Sequence, residues 1–241
     1  MDEFTGGAGN DTFTATLGGA APTMTALDTL DGGAGQDVLN VNDVGTAGVI
    51  PGGVSISNIE TINWRSAGDV GASGTELDTT GIADLQTLNV TKAANVFVIA
   101  AETTDVNISG ASADIDLNGG NNVVVTDSTA NNSITIGASA VGDAPAGTIT
   151  VTDTKLGTGT IAVDGGTDVT VTASGVGAGA IDIGQDGTNP TPSGAVTVSA
   201  TGAAVKGGDG VKALAAITID GGTSVSITQV AAASFGDAAT K

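Results

Sequence analysis

Short segments in which apolar and polar residues alternate recur along the whole chain. Such alternation places successive side chains on opposite faces of a strand, so each segment predicts a short, half-buried β-strand. Four clear examples lie in the first half of the chain, at residues 54–56, 59–64, 85–90 and 105–108. The chain is therefore expected to be all-β.

A longer repeat organises the second half. Residues 115–123, 161–169 and 217–225 each place an alternating strand before a Gly-Gly pair, with first glycines at Gly119, Gly165 and Gly221. Between these anchors, residues 133–137 match residues 180–184, and residues 147–151 match residues 194–198. A constant internal order with loops of variable length is typical of solenoids, in which each repeat packs on the next. The variable loops are expected at residues 138–146, 185–193 and 202–216.

These patterns predict a parallel β-roll or β-helix, that is, a β-solenoid with irregular rungs and loop insertions. A sandwich of short antiparallel strands would show the same alternation and is the competing fold. Aromatic residues make up only 2% of the chain, so the core must be built from Val, Ile, Leu and Ala, as suits a stack of thin layers. A hydrophobic content of 40% argues against disorder.

Two copies of one glycine-rich nonapeptide lie near the N-terminus. Residues 6–14 (GGAGNDTFT) and 32–40 (GGAGQDVLN) both fit Gly-Gly-x-Gly-x-Asp-x-apolar-x at every fixed position. The glycines allow a tight turn with carbonyl oxygens pointing inward, and the aspartate adds a carboxylate on the same side. Because Ca²⁺ takes about six to eight oxygens, the ion is expected between stacked turns, and its binding is coupled to folding.

The candidate calcium ligands follow from this motif. Asp11 and Asp37 are expected to share an ion, together with carbonyl groups of the glycines before them: Gly6, Gly7, Gly9, Gly32, Gly33 and Gly35. Residues 2–5 and 28–31 match the Asp-x-apolar-x half of the motif, which adds Asp2 and Asp28 at the opposite edge. The apolar position should point into the roll and is filled by Phe4, Phe13, Leu30 and Leu39.

One turn of the roll is expected to carry an excursion. Two nonapeptides make a turn of about 18 residues, whereas the two copies begin further apart, at Gly6 and Gly32. Residues 15–22 are the expected excursion. We expect residues 1–42 to form the calcium-binding roll and residues 43–241 to continue the same stack as an irregular solenoid. The chain begins within a repeat, so we expect it to be a segment of a longer protein.

Three aspartates in the second half are weaker candidates for calcium. Asp164, Asp168 and Asp220 flank the later Gly-Gly pairs, where each could bind an ion at a rung corner or make a turn with its own backbone. The turn interpretation is favoured, because the pair beginning at Gly119 has asparagine at the equivalent places. A phosphate-binding loop is disfavoured for the nonapeptides, since no lysine and no helix pattern follows either one.

The charge of the chain limits the kinds of partner that it can bind. The formal net charge is −20, from 26 acidic and 6 basic residues. Nucleic acid and anionic membranes are therefore poor partners, and divalent cations are the natural counterpart. The chain has no cysteine and so no disulfide framework. It has neither a signal peptide nor an apolar run of about 18 residues, so no membrane insertion is expected.

Catalysis has little support in the composition. The chain has no His, Cys or Tyr, which excludes a Ser-His or Cys-His nucleophile. A lyase that uses Arg65 or a lysine as its base stays open as an alternative, but we expect no enzyme. Threonine rows at residues 148–152, at 170–172 and at Thr197 would form a flat face that could bind ice or a crystalline polysaccharide. Such a face is more commonly the solvated side of a strand.

The nonapeptides resemble those of RTX proteins, and residues 28–63 with the Thr-, Ala-, Gly- and Val-rich strands after them are similar to RTX-containing surface-layer proteins of Gram-negative bacteria. The resemblance implies type I secretion, folding on external calcium and self-association into a lattice or filament at the bacterial cell surface. It also implies that Asp11 and Asp37, with the glycines before them, are calcium ligands.

We therefore expect an extracellular, calcium-binding structural protein that assembles into a surface layer, with calcium driving both folding and assembly. The alternative is an RTX adhesin or a carbohydrate- or ice-binding module. A cell-surface polysaccharide is a further candidate partner.

Overall fold

The computed structural model describes residues 1–45, 48–137, 144–184, 187, 190–203 and 215–231. All regular secondary structure in these residues is β. In chain order the strands are β1 (Glu3–Thr5), β2 (Thr12–Leu17), β3 (Thr29–Asp31), β4 (Val38–Asp43), β5 (Ser55–Ser57), β6 (Thr61–Ser66), β7 (Leu77–Asp78), β8 (Thr87–Thr91), β9 (Val96–Ala100), β10 (Asp105–Ser109), β11 (Ile115–Gly119), β12 (Val123–Asp127), β13 (Ile134–Ile136), β14 (Ile149–Asp153), β15 (Thr160–Val163), β16 (Val169–Val176), β17 (Ala180–Ile183), β18 (Ala195–Gly202), β19 (Ala216–Ile219) and β20 (Ser224–Val230).

Successive strands alternate between two sides of a stack. The even-numbered strands form one ten-stranded sheet, in the order β2 to β20. The odd-numbered strands form a three-stranded sheet, β1-β3-β5, and a seven-stranded sheet, β7 to β19. All pairings between these strands are parallel. The predicted parallel β-solenoid is confirmed, and the antiparallel sandwich is wrong.

A rung is defined here as one even-numbered strand, one odd-numbered strand and the turns that join them. Rung length varies: Val106 pairs with Val123, 17 residues later, whereas Val196 pairs with Val225, 29 residues later. The long repeat seen in the sequence spans two rungs, because β13 lies between β11 and β15, and β17 lies between β15 and β19. The predicted boundary between the calcium-binding roll and the rest of the solenoid, at residues 42 and 43, lies inside β4. The ten-stranded sheet is continuous across it.

The core is a narrow column of apolar side chains between the sheets. Alternate residues of the even-numbered strands from β4 to β18 point inward and are buried, so that Leu39, Ile62 and Leu88 stack in register. All residues of β20 are exposed. The next inward row includes Trp64, which is the largest fully buried side chain and the only tryptophan. Burial of apolar area, at about 25 cal/mol per Å², is the main source of stability for such a column.

The apolar positions of the nonapeptides largely follow the prediction. Leu30 and Leu39 are buried, and Phe13 is partly buried against the core. Phe4 is the exception, with 45% of its surface exposed, although it lines an apolar cavity of about 420 Å³ together with Phe13 and Met24.

The predicted excursion at residues 15–22 is wrong in its position. Strand β2 runs on to Leu17, because Ala15 and Leu17 are inward-facing apolar residues that extend the core. The additional residues of this rung therefore lie between Gly18 and Asp28, after the strand has ended. The loops predicted at 138–146, 185–193 and 202–216 lie for the most part outside the described residues.

The described part of the chain has no helix with the length and apolar character that a membrane crossing requires.

Candidate calcium site

The two nonapeptide turns lie directly on one another. Strands β1 and β3 pair before the turns and β2 and β4 pair after them, with Phe4 opposite Leu30 and Phe13 opposite Leu39. Within the turns, the Ala34 N–H donates a 3.0 Å hydrogen bond to the carbonyl oxygen of Gly7. Residues 6–11 and 32–37 are thus equivalent positions on neighbouring rungs.

Close approach of the backbone explains some glycines of the motif, namely Gly6, Gly32, Gly33 and Gly35. A Cβ atom on Gly6 would collide with the carbonyl oxygen of Gly32, and one on Gly32 would collide with the carbonyl oxygen of Asn58 on the next rung. Gly33 has a φ of 90°, in the left-handed region that favours glycine. The missing side chains let backbone carbonyl oxygens of the next rung approach closely, and carbonyl oxygens are among the ligands that Ca²⁺ takes.

Three carboxylates line one corner of the stack. The Asp11 N–H donates to Oδ1 of Asp37 at 2.7 Å, and the Asp37 N–H donates to Oε2 of Glu60 at 2.6 Å. Oδ2 of Asp11 accepts a 2.6 Å hydrogen bond from the Gly7 N–H. We call Asp11, Asp37 and Glu60 the carboxylate corner. Its members belong to three successive rungs, so their negative charges are close together.

Glu60 was missed in the sequence because its rung lacks the glycine run. The register nevertheless aligns Thr61 with Val38, so Glu60 stands directly before β6 as Asp37 stands directly before β4. An acidic residue followed by x-apolar is the signal that could have revealed it.

Asp37 is the member with an unusual environment. Its side chain is 0% exposed, and among the described residues its buried Oδ2 atom has no hydrogen-bond partner. This oxygen lies toward Gly32, since a Cβ on that glycine would be 2.6 Å from it. A buried carboxylate oxygen without a donor costs about 1–3 kcal/mol or more, and a cation between the turns would remove that cost. The donor set therefore fits Ca²⁺ in its chemistry.

Carboxylates alone do not make a complete site here. Among the described residues, no group of three or more His, Cys, Asp or Glu side chains is arranged to hold a metal ion. Glycine carbonyl oxygens would have to supply the remaining ligands, as the motif predicts. Calcium binding at Asp11 and Asp37 stays a prediction.

Asp2 and Asp28 lie at the opposite corner, before β1 and β3. Oδ1 of Asp28 accepts the Asp2 N–H at 2.8 Å, and its Oδ2 accepts the Thr25 N–H at 2.8 Å and the Thr25 hydroxyl at 3.0 Å. These hydrogen bonds, the Thr25 N–H first, lower the pKa of Asp28 below its usual value. Both oxygens of Asp28 are thus already satisfied, which favours a structural role in the turn.

The carboxylate of Asp31 was not among the predicted ligands. Its Oδ1 accepts hydrogen bonds from the Asn58 side-chain amide at 2.7 Å and from the Gly33 N–H at 3.0 Å, and these two lower its pKa. Asp31 therefore ties the second nonapeptide turn to the rung that follows.

Asp164, Asp168 and Asp220 are not brought together. Asp164 follows β15 and Asp220 follows β19, and β17 lies between those strands. Asp168 stands at the other corner, before β16, where its Oδ1 accepts a 2.6 Å hydrogen bond from the Ala195 N–H. This contact joins Asp168 to the backbone of the next rung, so Asp168 has a structural role between rungs rather than in a turn with its own backbone.

No protein-family model and no curated protein matches this chain. The resemblance to RTX proteins therefore rests on the nonapeptides and the strands that follow them.

Proposed function

We propose that this chain is an extracellular, non-enzymatic structural segment that folds around calcium and assembles into a surface layer. The observation that carries the proposal is Oδ2 of Asp37, which is buried beside Gly32 in the second nonapeptide turn and has no hydrogen-bond partner among the described residues. The glycine contacts and the carboxylate corner support it, because they bring carbonyl and carboxylate oxygens of neighbouring rungs close together.

Linkage between calcium and folding gives the mechanism. In a calcium-poor cytosol, repulsion among Asp11, Asp37 and Glu60 opposes stacking of the first rungs, within a chain of net charge −20. Outside the cell, calcium at about 100 times its Kd would stabilise the fold by roughly 2.7 kcal/mol per site. That is a substantial share of a typical stability of about 5–15 kcal/mol. Secretion in an unfolded state and folding at the cell surface fit this scheme, as the resemblance to RTX proteins implies.

The first test is particle size by light scattering while calcium is raised from chelator to millimolar concentration. Reversible growth into large assemblies is expected. A protein that compacts on calcium but stays monomeric would overturn assembly while keeping calcium-driven folding. If neither the particle size nor the compactness of the protein changes with calcium, both parts of the proposal are overturned.

The alternative function, a binding module, is favoured by one observation. The predicted threonine rows lie in register on the outward face of the ten-stranded sheet, where Thr150, Thr170 and Thr197 occupy neighbouring rungs. A persistent monomer that binds a polysaccharide or ice would identify the chain as this kind of module.

A further inference from the structure

The two central outward rows of the ten-stranded sheet contain no carboxylate, and Asp105 lies on the same face at the start of β10. Two central rows of outward side chains run in register from Thr14 to Ser226 and from Thr16 to Thr228. Of these twenty side chains, eighteen are Thr, Ser or Asn, and the other two are Val124 and Arg65. The chain has 26 acidic residues, but none of them lies in these two rows.

Four asparagines on this face form a ladder of side-chain hydrogen bonds. The Nδ2 atom of each donates to Oδ1 of the asparagine on the preceding rung: Asn63 to Asn40 at 2.9 Å, Asn89 to Asn63 at 2.8 Å, and Asn107 to Asn89 at 2.9 Å. An amide has two N–H donors and two acceptor lone pairs. Each inner member therefore keeps one donor and one acceptor for a ligand at the surface.

Arg65 stands beside this ladder and has no counter-ion among the described residues. It is the only arginine of the chain, it is exposed, and its Nη1 donates to Oδ1 of Asn42 at 3.4 Å. The single ion pair within the described residues joins the Met1 amino group to Asp28, so no described carboxylate pairs with Arg65. A guanidinium presents five donors in a planar fork that matches a carboxylate. Its surroundings supply amides and hydroxyls but no such partner.

The ladder and Arg65 share one shallow groove. The groove has a volume of about 370 Å³, and its lining includes Thr14, Asn40, Asn42, Asn63, Arg65 and Asn89. Neighbouring rungs present equivalent groups about 4.8 Å apart. The groove therefore offers a regular series of paired donors and acceptors next to a positive charge that no described carboxylate pairs with.

We propose that this groove binds a glycan that carries carboxylate groups, that is, a uronate-containing polysaccharide. A uronate carboxylate pairs with the Arg65 guanidinium, and ring hydroxyls, which both donate and accept, bind the free amide groups of Asn63 and Asn89. A peptide is a poorer fit, since the groove has neither an unpaired strand edge nor a deep apolar pocket for a side chain. A nucleic acid needs several cations for its phosphates. The proposal is independent of the calcium site.

The test measures binding of a fluorescent hyaluronan hexasaccharide, in which every second sugar is a glucuronate, by anisotropy in saturating calcium. An uncharged isomaltose hexasaccharide is the comparator. The folded protein is expected to bind the uronate probe at least tenfold more tightly than the comparator. Arg65→Gln is expected to remove that preference, while Lys155→Gln, which changes the net charge equally at an exposed position away from this face, should keep it.

A second variant tests the same groove by adding charge. Thr91 is the register neighbour of Arg65 on the next rung, so Thr91→Glu supplies an internal carboxylate and is expected to weaken uronate binding at least fivefold. Each protein is first shown to be folded by the emission of buried Trp64, which separates failure of this proposal from failure of calcium-driven folding.

Three results would overturn the proposal: no uronate binding by the folded protein, equal binding of the two sugars, or equal losses from Arg65→Gln and Lys155→Gln. A change in particle size on Arg65→Gln without any sugar would also overturn it, because the occupant of the groove would then be a second copy of the chain.

Discussion

At the scale of single residues, a second buried carboxylate has an environment that differs from that of Asp37. Asp153 is 1% exposed, its Oδ1 accepts the Lys155 N–H at 2.7 Å, and its Oδ2 has no hydrogen-bond partner in the part of the chain that the structure describes. Asp127 lies in register with it on the neighbouring rung. Asp127 accepts hydrogen bonds from the N–H groups of Ser128 and Thr129 and from the side chain of Asn132. Burial, with a smaller contribution from the charge of Asp127, raises the pKa of Asp153 from 3.8 to about 6.

This shift predicts that Asp153 makes the protein less stable as the pH rises. Between pH 3.8 and 6 the folded state holds a proton on Asp153 that the unfolded state has lost. The contribution of Asp153 to the free energy of unfolding therefore declines as the pH rises across that window. The resulting penalty is complete above pH 6 and absent below 3.8. Asp28 and Asp31, whose pKa values are lowered, act in the opposite sense and lose their contribution only as the pH falls through their folded-state values.

Asp153→Asn tests this prediction, since it removes the titration and keeps the oxygen that accepts the Lys155 N–H. We expect urea unfolding at pH 7.5 and saturating calcium to show a gain of up to about 3 kcal/mol, because the amide carries no charge to bury and the pKa shift of Asp153 corresponds to that free energy. At pH 4.5 the gain should be clearly smaller. An equal effect of the substitution at both pH values would contradict the assignment.

At the scale of elements, the turns depend on backbone contacts between rungs. Gly32 faces the carbonyl oxygen of Asn58 and Oδ2 of Asp37, whereas a Cβ on Gly9 would have no atom within 4 Å. A methyl group is therefore excluded at one glycine of the motif and accommodated at the other.

Gly32→Ala is expected to destabilise the protein by about 1–3 kcal/mol, because the added Cβ forces the two rungs apart. Gly9→Ala is the matched control and should change stability by less than about 0.5 kcal/mol. Thermal unfolding in saturating calcium measures both. Equal effects of the two substitutions would show that the rungs do not approach each other as described.

The strands themselves were predictable where one face is polar. Alternation located β6, β8 and β10 to within a few residues, and the long repeat predicted the order of β11, β13, β14, β15, β17, β18 and β19. It did not identify β9, because Phe97 and Ile99 put apolar residues on the outward face as well. The two-residue strand β7 is too short to show any period.

The candidate site was predictable only in part, for a similar reason. The motif identifies Asp11 and Asp37, whose spacing from the glycines is fixed by the turn. Glu60 joins the site because β6, which it precedes, pairs with β4, although the two rungs differ in length. Its longer side chain reaches the Asp37 N–H. Such a contact depends on register, which only the folded stack defines.

At the scale of the whole molecule, the solenoid is close to one-dimensional, since each rung contacts mainly its neighbours. The nonapeptide turns and the carboxylate corner belong to the rungs built from β1 to β6. The later rungs have a continuous apolar column from Leu88 to Val198. Calcium should therefore act most strongly on the N-terminal end of the stack.

Hydrogen exchange followed by mass spectrometry tests this polarity. On calcium removal, amides of β2, β4 and β6 are expected to lose protection first, while those of β12, β14 and β16 keep more of theirs. Uniform loss along the stack would mean that calcium controls one cooperative unit rather than one end.

The most direct test of the central claim is a calcium titration followed by the emission of Trp64, the only tryptophan, which lies four residues after Glu60. It compares the unchanged chain with Asp37→Asn, in which the amide oxygen still accepts the Asp11 N–H but the unpartnered carboxylate oxygen is lost. Asp114→Asn is the control, because Asp114 caps the Ser133 N–H at a corner outside the site. The account predicts a calcium midpoint at least about tenfold higher for Asp37→Asn, or a loss of about 1.4 kcal/mol, and no shift for the control. Identical midpoints for all three proteins would contradict calcium binding between the nonapeptide turns.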